Sequence, residues 1–339
     1  MGVSRKAEME MTDLPIHLAS ADYMRLLPLA AGLVRPEGIA LTLTLGRDGS
    51  WDTRNALMGR VNTTEDFDGG ESSMGAHLVR VAKGDRSMVA LPIFVLRGFI
   101  ERDLYVRKGG PVKHPADLAD RRVGLYSWGA SGAIWYRHAM ERMGISPDAV
   151  QWVVGDVNQP GESKKVAFPA HVETAPEPMS KMLADGTIDA LWSPPLPNGF
   201  DAASGPIIRL FSDSQAEEEA GFRATGIFPP MHLIILRRAV WEANPWIATA
   251  LTQAFDASDA AFDAGQRGFP DAAPWMYQER TRIGTIMGAR PYGHGLGTAN
   301  LHAVRVFAET AHRYGLIDRM VEPQEYFADY LDSSARSSS

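Results

Sequence analysis

The sequence predicts an α/β fold of two lobes, in which the chain leaves the first lobe, builds the second and returns. Segments of strand type alternate with segments of helical period, the signature of that class. The length, 339 residues, suits two lobes or one large fold. Two buried apolar runs, at 88–96 and 228–236, frame a middle section of the same style, so the exit is expected near 96–105 and the return near 227–236. Lobe 1 is thus expected to comprise 14–100 and 228–330, lobe 2 101–227, and the Ser-rich end, 331–339, a disordered tail.

Each element has its own signal. Residues 14–18 form a short strand, and Tyr23, Leu26, Leu27, Ala30 and Leu33 give one apolar helical face. Gly32 and Pro36-Glu37-Gly38 then stop the chain, and 39–45 alternates as a strand. Residues 67–71 are strand-like, and Ser72 or Ser73 can cap a helix through Met74, Leu78 and Val81 to Gly84. The run 88–96 is nearly continuous apolar sequence, as in a buried strand, and 103–108 is a further strand candidate. In the middle section, 122–126, 150–154 and 188–192 read as strands, while 129–143 and 179–184 read as helices. After the strand 228–236 come long helical stretches at 246–262 and 300–314.

Composition removes several function classes. There are 34 Lys plus Arg against 41 Asp plus Glu, a net charge of −7, and no cysteine. Thiolate catalysis, zinc ribbons, iron–sulfur clusters and disulfides are therefore excluded. No basic stripe marks a nucleic-acid binder, and no apolar run approaches a membrane helix. The first 13 residues are polar and carry no apolar signal core, which reads as a cytoplasmic protein. No H-E-x-x-H spacing, phosphate loop or G-x-S-x-G elbow occurs, so no metal site is expected and a Ser–His–Asp hydrolase is set aside.

Particular motifs say more. Asp22-Tyr23-Met24-Arg25, Arg35-Pro36-Glu37-Gly38-Ile39, Met182 to Ala190, Phe228-Pro229-Pro230-Met231-His232, Arg237 to Trp246 and Pro291-Tyr292-Gly293 occur in order. As a collinear set over residues 14–327, they resemble the 4,5-dihydroxyphthalate decarboxylase family, which is similar in fold to the type 2 periplasmic solute-binding proteins. The resemblance implies a two-lobed fold of that kind and cofactor-independent decarboxylation of a dihydroxylated aromatic dicarboxylate. The namesake reaction gives protocatechuate. It also implies a small aromatic carboxylate as partner and suggests a homo-oligomer. One stretch departs from the family pattern: Phe99, Tyr105 and Val106 match, but Ile100-Glu101-Arg102 stands in place of Arg-His-Ser. That leaves the exact substrate open.

Removing CO2 from an aromatic acid leaves charge in the ring unless the carbon bearing the carboxylate is protonated first. A para hydroxyl supplies the electrons. Such a site needs donors for carboxylates, a proton donor at the ring carbon and an acceptor for the phenol. Arg97, at the end of a buried strand, is a candidate carboxylate clamp or an ordinary inter-lobe ion pair; Arg25 is a second. Ser127-Trp128-Gly129-Ala130-Ser131-Gly132 opens a helix, where Gly129, Ser131 and Gly132 could present amides to an anion. Glu71 could accept the phenol proton, or donate to the ring if burial raised its pKa; Ser72 beside it is a candidate substrate contact; and His232 offers an imidazole, a group suited to delivering a proton. Family resemblance favours a catalytic part for Glu71 and His232. Trp128 and Trp192 could stack on the ring, and Ser193 could make a polar contact. The alternative is a non-catalytic protein that closes over an aromatic or other small acid.

Overall fold

The computed structural model describes residues 13–46, 51–159, 169–268 and 273–337. The chain opens with β1 (Leu14–Ala21), α1 (Leu27–Ala30), β2 (Ile39–Gly46), α2 (Trp51–Thr63), β3 (Gly69–Ser73), α3 (Met74–Ala82), β4 (Met88–Ala90) and β5 (Leu96–Arg97). A middle section follows with β6 (Leu104–Arg107), β7 (Arg122–Leu125), α4 (Ser131–Arg142), β8 (Gln151–Val154), β9 (Glu173–Thr174), α5 (Met179–Asp185), β10 (Ala190–Trp192), β11 (Ile207–Arg209) and α6 (Ser214–Thr225). The chain ends with β12 (Pro230–Arg237), α7 (Arg238–Ala243), α8 (Ile247–Gly268), α9 (Met276–Met287), α10 (Thr298–Arg313), α11 (Pro323–Tyr326) and α12 (Ala328–Ser337).

These strands form two sheets. One runs β2-β1-β3-β12-β4 with β5 also on β12, and the other β11-β6-β10-β7-β8-β9. The first sheet is parallel from β2 to β3 and turns antiparallel at β12. In the second, β10, β7, β8 and β9 are parallel while β6 opposes β10. Sequence-distant strands thus complete the first sheet: β5 leaves it at Arg97, and the chain re-enters at Pro230. This is the expected α/β architecture with two sheets.

Apolar alternation explains the layers. Ile16, Leu18, Ile234 and Leu236 project from the first sheet onto Ile247, Leu251 and Phe255 of α8. The opposite face, with Ala19, Leu233 and Ile235, packs on α3, α4 and α10 through Leu78, Trp135 and Phe307 and continues to Leu125 and Trp192 of the second sheet. Met179, Met182 and Leu183 of α5 cover the far side of that sheet. Each of the buried Leu, Ile, Phe and Met side chains contributes roughly 1.5–3 kcal/mol through removal from water.

Several expected elements differ. The run 88–96 is not one strand: β4 and β5 are separated by an irregular segment at 91–95, whose Leu91 N–H and Ile93 C=O still bond Ile234. Its buried apolar residues satisfy burial without requiring regular pairing. The helix read from Tyr23 is a 3-10 turn followed by the four-residue α1. The disordered tail is corrected most fully. Residues 328–337 are helical, and Ser333 is buried, accepting the Trp241 indole N–H at 2.8 Å. Residues 338–339 lie outside the described part. Serine content suggested disorder, but the small side chains let α12 dock closely. Among the described residues, no helix is long and apolar enough to cross a membrane.

Candidate active site

Gly69-Gly70 begins β3, and absent side chains let this strand fit between β1 and β12. A Cβ on Gly70 would collide with the Ala19 carbonyl, and the residue's φ of 156° suits glycine. This close approach puts Glu71 of β3 beside the carboxyl end of β1 and beside β12. The register pairs Ser73 with His232 and Glu71 with Ile234, so Glu71 and His232 are diagonal neighbours on one face.

Glu71 is 2 % exposed and fully engaged. Its Oε1 lies 2.5 Å from His232 Nδ1 and accepts the Tyr23 hydroxyl at 2.7 Å. Its Oε2 accepts the Ala21 N–H at 2.7 Å and the Ser20 hydroxyl at 3.0 Å. Burial by itself would raise the carboxyl pKa. The bond and charge of His232, with the Ala21 and Tyr23 donors, outweigh it and hold Glu71 below the usual carboxylate range. The condition for Glu71 to act as a donor, a pKa raised by burial, is therefore not met. Tyr23 moves the other way: burial and then the Glu71 charge push its hydroxyl up, so it stays a donor.

An ionised Glu71 that accepts from His232 Nδ1 fixes the imidazole with Nε2 as its outer nitrogen. The His232 side chain is 15 % exposed, and no hydrogen bond from the described residues reaches Nε2. Arg54 of α2 adds a cation nearby. Its guanidinium lies 5.3 Å from the Tyr23 ring centroid and 3.6 Å from Asp22.

Opposite His232 in the ladder, Ser73 reaches across to the second sheet's first helix. Its Oγ lies 2.9 Å from Ser131 Oγ, which accepts the Gly75 N–H at 3.1 Å. The starts of α3 and α4 therefore meet here. The expected helix start at Gly129 moves to Ser131, with Ala130 as N-cap, and Ser131 is buried in the first turn. Gly129 lies just outside, its carbonyl 2.6 Å from the position a Gly75 Cβ would take. Gly132 is packed against the Tyr126 hydroxyl, 2.9 Å from its own would-be Cβ.

The other candidates stand elsewhere. Arg25 is not a free clamp: it holds Asp259 at 3.0 Å, donates to the Val95 carbonyl at 2.8 Å and lies over the Tyr292 ring at 4.0 Å. Arg97 makes no ion pair among the described residues and donates instead to the Phe228 carbonyl and the Asn300 side chain. Ser72 points away from Glu71 and donates to Asn62. Ser193 is fully buried and donates to the Pro195 carbonyl at 2.7 Å.

Both candidate stacking tryptophans are corrected. Trp192 is wholly buried and lies flat on Tyr136, centroids 4.8 Å apart at 6°. Trp128 is buried with the Arg137 guanidinium on its ring at 4.0 Å. Their position near strand ends invited a ligand role, but the rings are spent on intramolecular stacking. Sequence reading missed Ser20, Tyr23 and Arg54 as site residues. Tyr23 stood inside a quoted motif, while Ser20 and Arg54 carried no local signal.

Comparison with known proteins agrees with the resemblance read from the motifs. A protein from Comamonas testosteroni named 4,5-dihydroxyphthalate decarboxylase is 29 % identical over 329 residues, covering 94 % of this chain and 97 % of that one. One of the same name from Pseudomonas putida is 28 % identical over 221 residues, covering 63 % and 83 %. No family model matches. Among solved structures, the alkanesulfonate-binding protein SsuA from Xanthomonas axonopodis pv. citri superposes with a TM-score of 0.50 at 12 % identity, covering 92 % of this chain and 97 % of that one. A periplasmic sulfonate-binding protein SsuA from Methylobacillus flagellatus KT gives 0.50 at 13 %, covering 96 % of both chains. The chain is thus similar over nearly its whole length to a protein named 4,5-dihydroxyphthalate decarboxylase, and it has the fold of the periplasmic solute-binding proteins.

Proposed function

We propose that this chain is a carboxy-lyase that decarboxylates a hydroxylated aromatic dicarboxylate of the 4,5-dihydroxyphthalate kind. The observation that carries the reading is the buried Glu71–His232 pair, 2.5 Å apart, in a chain similar to two proteins of that name. Protonated His232 delivers its Nε2 proton to the ring carbon bearing the departing carboxylate. The hydroxyl para to that carbon supplies the electron pair. The C–CO2 bond then breaks, its electrons restore the aromatic ring, and CO2 leaves. One proton is consumed per turnover, and solvent returns it to the imidazole.

Glu71 acts through His232 in this scheme. Its carboxylate holds Nδ1 and so turns Nε2 outward, and the Ser20, Ala21 and Tyr23 donors hold the pair in place. Arg54 and the meeting helix starts at Ser73 and Ser131 supply positive potential for the carboxylates. The two sheets serve as the two lobes, with the catalytic face at the carboxyl ends of β1 and β3.

The direct test is incubation with 4,5-dihydroxyphthalate, following CO2 release and 3,4-dihydroxybenzoate by chromatography. Product formation that is lost in His232→Ala supports the reading. Binding without turnover overturns it and leaves a solute-binding role.

A further inference from the structure

A cavity at the two crossovers carries polar groups that the Glu71–His232 site does not use. It measures about 430 Å³, and Arg97, Phe99, Glu218, Phe222, Phe228 and Tyr292 are among its walls. A neighbouring cavity of about 310 Å³ shares Arg97, Phe222 and Phe228. Neither Glu71 nor His232 borders either one.

Arg97 is 7 % exposed, yet its hydrogen bonds go to neutral acceptors, and its Nε has no partner among the described residues. The charges around it do not compensate. Arg25 repels it, and Asp259 is already held by Arg25. Burial and Arg25 together push the guanidinium down to about 9. A buried cation in that state is costly, and an anion entering the cavity relieves it.

The same cavity holds a second orphan. Glu218 of α6 is 9 % exposed, and its Oε1 lacks a hydrogen-bond partner among the described residues. Burial raises its carboxyl pKa, with Arg102 opposing and Glu101 adding. Such a group can exchange a hydrogen bond with a hydroxyl. Aromatic rings line the same cavity. Phe99 and Phe228 are 4.9 Å apart at 32°, and Tyr292 meets Phe228 edge-on at 5.2 Å. The volume lies in the range of small-molecule sites.

We propose that this crossover cavity binds a hydroxylated aromatic carboxylate, with Arg97 on the carboxylate, Phe99 and Phe228 on the ring, and Glu218 on a ring hydroxyl. The choice of ligand rests on the proposed reaction, whose substrate and product both have this chemistry. Since Arg97 ends β5 of the first sheet and Glu218 lies on α6 beyond the second, an occupant ties the two parts together.

The test is titration calorimetry with 3,4-dihydroxybenzoate, benzoate and catechol as probes. Glu218→Ala should weaken 3,4-dihydroxybenzoate about 10-fold or more while leaving benzoate no weaker. Arg97→Lys should weaken both acids and leave catechol unchanged, since lysine lacks the planar fork. Catechol also reports whether that variant retains its fold, and Glu218→Ala carries the test if it does not. His232→Ala should keep the binding. Unchanged acid binding in both cavity variants, or its loss in His232→Ala, overturns the proposal. With 4,5-dihydroxyphthalate as a fourth probe, titrated into His232→Ala so that it is not consumed, the arms separate substrate from product. Turnover without these binding changes sinks the cavity alone; the changes without turnover sink the decarboxylase reading alone.

Discussion

Ser73 and Ser131 share a hydrogen bond of 2.9 Å although they belong to helix starts on different sheets. Ser131 also takes the buried Gly75 N–H. Removing its hydroxyl leaves that donor without a partner. Ser131→Ala should therefore lower stability by about 1–3 kcal/mol in denaturant unfolding. Gly75→Ala attacks the same junction from the other side, since its Cβ would stand 2.6 Å from the Gly129 carbonyl. It should part the two helix starts and lower kcat/KM. Unchanged kinetics in a folded Gly75→Ala protein would detach this junction from the site.

How much of this was legible depends on where the signal lies. β1 and β2 announce themselves by alternation, and α8 and α10 by apolar stripes that do bury. α9 buries no residue, and the buried residues of α6 are only Glu218 and Gly221, so neither offers a stripe to read. α2 is mostly polar and touches the core mainly through Leu57 and Val61. Arg54 rides on that unread helix. Glu71 and His232 were found by resemblance, but their pairing spans 161 positions. A single sequence carries no mark of a partner that distant. The lowering of the Glu71 pKa was equally unreadable, since its donors Ser20, Ala21, Tyr23 and His232 come from other elements.

Glu71 predicts an acid signature. Its carboxyl is held below the unfolded value, so the unfolded chain binds the proton more readily. The stability it contributes is present above the ordinary glutamate range and is lost as pH falls through the folded pKa. Glu71→Gln should be less stable than wild type at pH 7, and the gap should narrow toward pH 3. A constant gap in unfolding experiments across that window would contradict an ionised Glu71.

Asp103 predicts the opposite slope. Burial lifts its carboxyl to about 7, and the Tyr136 hydroxyl donates to it at 3.3 Å without reversing the shift. Here the folded chain holds the proton more tightly, so this group lowers stability as pH rises from about 4 to about 7. Asp103→Asn removes that dependence. Its melting temperature should exceed wild type at pH 8 by several degrees and approach it at pH 5. Equal differences at both pH values would show that Asp103 ionises normally.

Tyr23 offers the sharpest test of how the catalytic pair is held. Its hydroxyl and His232 Nδ1 meet the same carboxylate oxygen, at 2.7 and 2.5 Å. Tyr23→Phe keeps the ring but frees one side of Glu71, so the carboxylate can drift from the imidazole. The expected result is a fall in kcat of about 10-fold, the scale of one hydrogen bond to a charged group, with KM little changed. A solely structural role would lower stability without this split. If Tyr23 acts through Glu71 on His232, its effect should vanish once the imidazole is gone. Tyr23→Phe combined with His232→Ala should then be no slower than His232→Ala alone. Additive losses would give Tyr23 a separate contact with substrate.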